Sequence, residues 1–428
     1  MKSLIALPLI AFLFLISCSP HLTWQKELKK MEREHQDHIG FMLYDPATKK
    51  TLLDFNAEKY FTPASNTKIF TFFSGLQVLG DSIPAFRYLQ QRDSLILWGT
   101  GDPSFLYSAV FQNGRAYDFL KNTTTNLYFS TSNWHARHFG PGWAWDDYND
   151  AYSTERTAFP LYGNLVTFKP GQSGQLDISP PYFQKMIIAG NGVNSSEKVT
   201  RTLSANEFVH TAQSDTLQQQ VPFRTSSELT ATLLSDTLNK AVTVVDIPMP
   251  HTAAVFYGLP ADSLYKPMMQ ESDNFIAEQL LLMCAGMVSD SLKPDIAINY
   301  VKEKFLFDLP DKPVWVDGSG LSRYNLFTPR TMVRLWEKIL TIVPHERLLR
   351  LLAVGGKSGT IKNNYHNNPP YIFAKTGTLS NNHALSGLLV TRKNKLLIFS
   401  FMNNNYVQPV SEIKDQMEVV LKQFYEKY

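Results

Sequence analysis

Between Ile69 and Leu76 the chain reads Ile-Phe-Thr-Phe-Phe-Ser-Gly-Leu, interrupted only by the hydroxyls of Thr71 and Ser74. A helix with one apolar stripe can lie on a surface, but a helix apolar on nearly every side has to be covered all round. The segment therefore demands a sizeable core. With 428 residues the chain can supply one, since a prior of ~150 residues per domain gives two or three. Its 44% hydrophobic and 18% charged residues are ordinary for a globular protein, which excludes collagen-like, coiled-coil and largely disordered chains. Lys and Arg number 41 against 38 Asp and Glu, with no long basic run and no zinc-finger spacing. Nothing marks a nucleic-acid binder, and a small or polymeric substrate is the expected partner.

The N-terminus has the layout of a targeting segment: Lys2, an apolar run from Leu4 to Ile16, then Ser17-Cys18-Ser19-Pro20. The run is shorter than the ~20 residues that span a bilayer. Leu15-Ile16-Ser17-Cys18 resembles a bacterial lipobox, which implies a lipoprotein signal segment over residues 1–18, cleaved just before the cysteine, with acylation of Cys18 and a membrane anchor in the cell envelope, facing the periplasm. Cys284 is then the only other thiol, so no intrachain disulfide can form. It sits in Leu280-Leu281-Leu282-Met283-Cys284 and is expected to be buried on a helix.

Farther along, Trp24–His35 reads as a helix, and His38–Tyr44 with Thr51–Phe55 as a hairpin around Asp45-Pro46-Ala47-Thr48. From Tyr88 to about Val245 short alternating runs (Leu95–Trp98, Leu127–Phe129, Leu165–Phe168) are broken by Gly, Pro, Asn and Ser clusters, a β-rich texture. Helices are expected at His251–Leu259, Ser272–Met287, Pro329–Ile342 and His345–Leu352. Strands follow at Tyr371–Ala374, Ala384–Thr391 and Lys395–Met402, and an amphipathic helix runs from Val410 to Tyr425.

Three short patterns stand out in order: S-x-x-K at Ser65/Lys68, S-D-N at Ser272/Asp273/Asn274, and K-T-G at Lys375/Thr376/Gly377. Singly they are weak. S-x-x-K recurs at Ser195/Lys198, Ser263/Lys266 and Ser411/Lys414, and each residue has an ordinary explanation as a helix cap, a solvated charge or a strand-edge charge. Context separates the first set: Ser65 opens the core helix, Ser272 enters a helix after a loop, and Lys375 ends a strand, whereas the rival Lys357-Ser358-Gly359-Thr360 reads as a loop. On a helix Ser65 and Lys68 share a face. An alcohol needs an adjacent base, and an amine can serve only when burial or a second cation lowers its pKa, a part Lys375 could play. The helix N-terminus directs N–H groups toward developing negative charge. Together these describe acyl transfer through a serine ester.

The ordered set resembles that of penicillin-binding proteins and class A β-lactamases. Longer stretches are similar to the low-molecular-mass class C penicillin-binding proteins, the D-alanyl-D-alanine carboxypeptidase/endopeptidase group: Gly99-Thr100-Gly101-Asp102-Pro103, Gly142-Trp143-Ala144-Trp145-Asp146-Asp147 and Asp317-Gly318-Ser319-Gly320-Leu321-Ser322-Arg323. Ser65 and Ser272 are 207 residues apart, far more than in class A β-lactamases, which fits inserted domains. The resemblance implies an α+β fold: a transpeptidase-like core of residues 19–87 and 246–428, an antiparallel sheet with a helical cluster, and a β-rich insertion, 88–245, in two parts meeting near 167/168. It implies that Ser65 attacks the penultimate D-Ala carbonyl of a peptidoglycan stem peptide, that Lys68 takes its proton and that Ser272 relays it. Asn274 would hold the substrate amide, Lys375 and Thr376 the terminal carboxylate, and the N–H groups of Ser65 and Thr378 the oxyanion. Gly377 would let the substrate strand come close, and Asp147, or its neighbour Asp146, would read the amino end of the diamino acid. β-Lactams would be covalent inhibitors.

Two other activities compete: a β-lactamase or esterase on this scaffold, for which no E-x-x-L-N-like segment supplies a water-activating base, and a non-catalytic wall-binding lipoprotein, which has no need of all three motifs. The pairs His35/His38 and His135/His138 lack a third ligand, so neither metal nor cofactor is expected. The aromatic run Trp134–Trp145 reads as packing before glycan contact.

Overall fold

The computed structural model describes residues 20–110, 113–171, 176–190, 199–211 and 217–428. Cys18 and the apolar leader lie outside the described residues. The chain opens with α1 (Pro20–His35), β1 (His38–Asp45), β2 (Lys50–Phe55) and α2 (Lys68–Val78). The next region holds β3 (Ser82–Gln91), β4 (Ser94–Gly99), α3 (Arg115–Asn122), β5 (Asn126–Ser130), β6 (Leu165–Pro170), β7 (Leu176–Ser179) and β8 (Ile187–Ala189). It continues through β9 (Val199–Arg201), β10 (Phe208–His210), β11 (Gln219–Pro222), α4 (Ser227–Leu238), β12 (Val242–Val244) and β13 (Ala254–Pro260). The chain returns through α5 (Asp262–Gln270), α6 (Asn274–Ser289), α7 (Pro294–Phe305), α8 (Pro329–Ile342) and α9 (His345–Leu351). It ends with β14 (Ala353–Val354), β15 (Ile372–Leu379), β16 (Asn382–Val390), β17 (Leu396–Asn404) and α10 (Val410–Lys427).

The six-stranded sheet has the order β14-β15-β16-β17-β1-β2, and every pairing is antiparallel. Successive side chains of β17 face opposite sides: Ile398 and Met402 join the helical cluster of α2, α6 and α8, whereas Phe399 and Phe401 pack with α1 and α10. The outer layer is closed by Phe424 stacked on Phe41 at 5.5 Å. At the centre of the cluster α2 is covered as its composition requires. Residues 68–75 are all buried, Phe70 stacks on Phe327 at 4.3 Å, and Phe72 meets Tyr265 edge-on.

The insertion departs from its expected form. His251–Leu259 is not a helix: Ala254–Pro260 is the edge strand β13, paired with β3 and fixed by Phe256 stacked on Phe86 at 4.9 Å. Its run Val255-Phe256-Tyr257 is β-branched and aromatic, a composition that favours strands. The sheet β12-β5-β4-β3-β13 therefore begins at Ser82 and ends at Pro260, beyond the expected limits of 88 and 245 on both sides. The region is also not purely β. Strands β4 and β5 are parallel, a pairing that needs a crossover, and α3 provides it. Strand β6 crosses the expected 167/168 division, and one hydrophobic cluster takes in residues from Ala85 to Leu238.

Candidate active site

Ser65 lies in a 3-10 turn, Ala64–Thr67, that leads directly into α2, so Lys68 is the first residue of that helix. The turn is held from the sheet by Asn66, whose Nδ2 donates to the carbonyl of Lys375 at 3.0 Å. Gly377 makes this approach possible: a Cβ there would stand 2.4 Å from the Pro63 carbonyl and 2.9 Å from the Ser65 nitrogen. Its visible role is thus to bring β15 against the Ser65 turn, which the expectation of a close substrate strand did not include.

Lys68 Nζ lies 2.8 Å from Ser65 Oγ, 2.6 Å from Asn274 Oδ1 and 2.7 Å from the Ser319 carbonyl, with no solvent exposure. Burial pushes its pKa down to about 8, against the pull of Asp317, Asp273 and Glu278 in the opposite direction. Burial is thus the leading cause of the lowered pKa. Lys375 is buried as well and is driven well below the ordinary lysine range by desolvation and by the Lys68 charge. It stands inside β15, not at its end, and donates to Ser272 Oγ at 2.8 Å and to the Thr376 carbonyl at 2.7 Å.

Ser272 precedes α6 with φ 65, a left-handed conformation rare outside glycine. The cap of α6 is its neighbour: Asp273 accepts from the Ile276 N–H at 2.8 Å and from the Tyr107 hydroxyl at 2.7 Å. Asn274 Nδ2 donates to the Tyr152 carbonyl, and the Tyr152 hydroxyl donates to Asp147 Oδ1 at 2.9 Å. Burial raises the Asp147 pKa, the nearby Asp150 and Asp146 add to it, and the Tyr152 hydrogen bond and Arg323 work against them. Thr376 Oγ1 is 2.7 Å from Thr360 Oγ1, so the rival Lys357-Ser358-Gly359-Thr360 segment forms a turn braced against the third motif. Thr378 pairs its hydroxyl with His383, a ring kept neutral by burial with a pKa of about 3. A cleft of about 750 Å³ opens over these groups, lined by Ser65, Ser272, Asn274, Thr378, Asp146, Asp147 and Arg323.

Several groups around Lys68 escaped the motif reading: the Ser319 carbonyl, Glu278, Arg156, Asn66 and Tyr107. One signal was present. From Phe275 to Val288, Glu278 and Gln279 are the sole polar pair in an otherwise apolar helix, and Glu278 is one turn beyond Asn274. Among the described residues no group of three His, Cys, Asp or Glu is placed to hold a metal ion. Cys284 is buried on α6 as its setting suggested, and burial pushes its thiol pKa up.

The crystal structure of penicillin binding protein 4 (dacB) from Haemophilus influenzae superposes with a TM-score of 0.76 at 20% identity, over 93% of this chain and 99% of that one. A predatory endopeptidase from Bdellovibrio bacteriovorus, crystallised with an immunity protein, superposes at 0.51 and 13% identity over 91% and 93%. The architecture is therefore the α+β transpeptidase-like class, with its sheet, helical cluster and long insertion. Within that class the chain belongs to the D-Ala-D-Ala carboxypeptidase 3 (S13) family, whose pattern it matches over residues 25–424. It is 23% identical over 425 residues to D-alanyl-D-alanine carboxypeptidase DacB of Haemophilus influenzae, covering 86% of each. To the D-alanyl-D-alanine carboxypeptidase of Actinomadura sp. strain R39 it is 24% identical over 442 residues, covering 90% of this chain and 81% of that one. The chain is a low-molecular-mass class C penicillin-binding protein and a serine DD-peptidase of peptidoglycan stem peptides.

Proposed function

We propose that Ser65 is the nucleophile of this DD-peptidase and that Lys68 is its base. The observation that carries this reading is the 2.8 Å separation of Ser65 Oγ from a wholly buried Lys68 amine. Ser65 Oγ attacks the carbonyl of the penultimate D-Ala as its proton passes to Lys68 Nζ, and the bond to the terminal D-Ala nitrogen breaks. Ser272, within reach of Lys375, returns the proton to the leaving amine, and water then hydrolyses the ester. Lys375 and Thr376 receive the terminal carboxylate. Asn274 orients the substrate amide, and the N–H groups of Ser65 and Thr378 face the oxyanion, an arrangement favoured by the backbone approach that Gly377 permits. Asp147, opposed by Arg323 across the cleft, suits the amino end of the diamino acid.

β-Lactams, which place a strained amide where the D-Ala-D-Ala bond would lie, acylate the same oxygen. Intact mass and peptide mapping after benzylpenicillin treatment should place one stable adduct on Ser65, absent in Ser65→Ala. Hydrolysis of the drug without an adduct would favour a β-lactamase, and neither outcome a non-catalytic binder. Asp147→Asn should raise KM for stem peptides with a free diamino-acid amine while leaving benzylpenicillin acylation unchanged; equal effects on both would remove Asp147 from substrate reading.

We also propose that Cys18 carries the lipid that anchors the enzyme in the envelope, facing the periplasm. The support is the apolar run ending at Leu15-Ile16-Ser17-Cys18. A tagged fatty acid should label the wild type and not Cys18→Ser; equal labelling would refute the anchor.

A further inference from the structure

An uncharged amine has two N–H bonds and one lone pair. Around Lys68 Nζ stand three oxygens: Asn274 Oδ1, the Ser319 carbonyl and Ser65 Oγ. The first two can only accept, so they take both N–H bonds and leave the lone pair facing the Ser65 hydroxyl. The orientation of the base therefore depends on how firmly the Ser319 carbonyl is held.

It is held at both flanking peptide units. On one side the Gly318 carbonyl accepts from Thr71 Oγ1 at 2.6 Å, while the Ser319 N–H donates to Glu278 Oε1 at 2.7 Å. On the other the Gly320 N–H donates to Asp317 Oδ1 at 2.9 Å. Gly318 and Gly320 allow the close fit, since a Cβ would stand 2.5 Å from the Ala277 carbonyl and 1.9 Å from the Ala64 carbonyl. Glu278 in turn has a buried partner from the inserted region: Arg156 reaches its Oε2 at 3.1 Å. Arg156 lies over the Trp143 ring and is fixed by the carbonyls of Arg137 and Phe139, and Trp143 Nε1 donates to Asp317.

We propose that Glu278, braced by Arg156, is a positioning residue for acylation: by holding Ser319 it keeps a fixed acceptor on Lys68 and so turns the lone pair of Lys68 toward Ser65. This rests on the reading of Ser65 and Lys68 as nucleophile and base. The other charged and titratable groups that face Lys68 are Asp273 at the cap of the same helix α6, Asp317 in the loop after α7 and Lys375 in β15. Glu278 itself faces Asp317 and Arg156.

The test uses benzylpenicillin acylation of Ser65 by the full chain, followed against pH, with Glu278→Gln and Glu278→Asp. Removing the carboxylate charge disfavours protonated Lys68, so Glu278→Gln should move the acid limb of the acylation profile down by about one pH unit. Glu278→Asp keeps the charge but shortens the reach to Ser319. It should lower the plateau acylation rate constant by about tenfold or more, with the affinity of the initial non-covalent complex unchanged. An unmoved acid limb in Glu278→Gln, or a wild-type plateau in Glu278→Asp, would overturn the proposal; if one variant fails to fold, the other decides. Failure of the wild type to acylate would instead overturn the assignment of Ser65.

Discussion

The chemistry of single residues turns on the Lys68 amine. With its pKa brought to about 8 by burial, the free base is a minority form near neutrality, and only the free base can accept the Ser65 proton. Benzylpenicillin acylation should therefore rise with pH through about 8 and fall tenfold per unit below it; a flat profile between roughly pH 6 and 9 would place the base elsewhere. Lys68→Arg should lose about a thousandfold in acylation rate or more, because guanidinium does not give up a proton in this range. Substantial adduct formation by that variant, measured by intact mass, would rule out Lys68. Both residues of the S-x-x-K pair could be read directly from the sequence, as could their shared face, since spacing along one turn is a local property. The lowered pKa could not, because desolvation is produced by α6, β15 and the Asp317 loop, elements two hundred residues or more away.

Elements bring their own conditions. Strand β15 can meet the Ser65 turn only because position 377 has no side chain. Gly377→Ala should push the strand away and reduce acylation by about a hundredfold, with circular dichroism unchanged; wild-type acylation would mean that the turn can yield. At α6 the cap Asp273 has one oxygen on its own helix and the other on Tyr107 of the inserted region. Tyr107→Phe removes that donor from a buried carboxylate and should cost about 1–3 kcal/mol in chemical denaturation. The bounds of α8 are legible in the sequence to the residue, because Thr328 caps it, Pro329 opens it and its apolar side is periodic. Strand β13 is not, because its pairing with β3, some 170 residues earlier, decides a segment without a clear period. The sequence pattern also starts α6 at Ser272, two residues before its first residue Asn274, since only the backbone turn at Ser272 and the cap at Asp273 fix where the helix begins.

Over the whole molecule, the region of residues 82–260 and the helical cluster are joined at α6. Gln279, fully buried, accepts from the Thr157 N–H and donates to the carbonyls of Gly101 and Thr157, next to the Arg156–Glu278 pair. Gln279→Leu strands three buried backbone groups and should cost about 2–4 kcal/mol, with earlier cleavage between insertion and core in limited proteolysis; an unchanged digestion pattern would show that the joint lies elsewhere. By itself the sequence determined which residues are proposed to carry the chemistry, the order in which they occur and most of the elements that hold them, because motif spacing, caps and hydrophobic period act over one or two turns of chain. Only the tertiary structure decided that Ser65, Ser272 and Lys375 meet, that both lysines are dry, and that the five-stranded sheet starts at Ser82 and its region reaches Lys68 through Arg156 and Glu278. Those outcomes depend on burial and strand pairing between distant segments, and neither is encoded in any stretch short enough to be read alone.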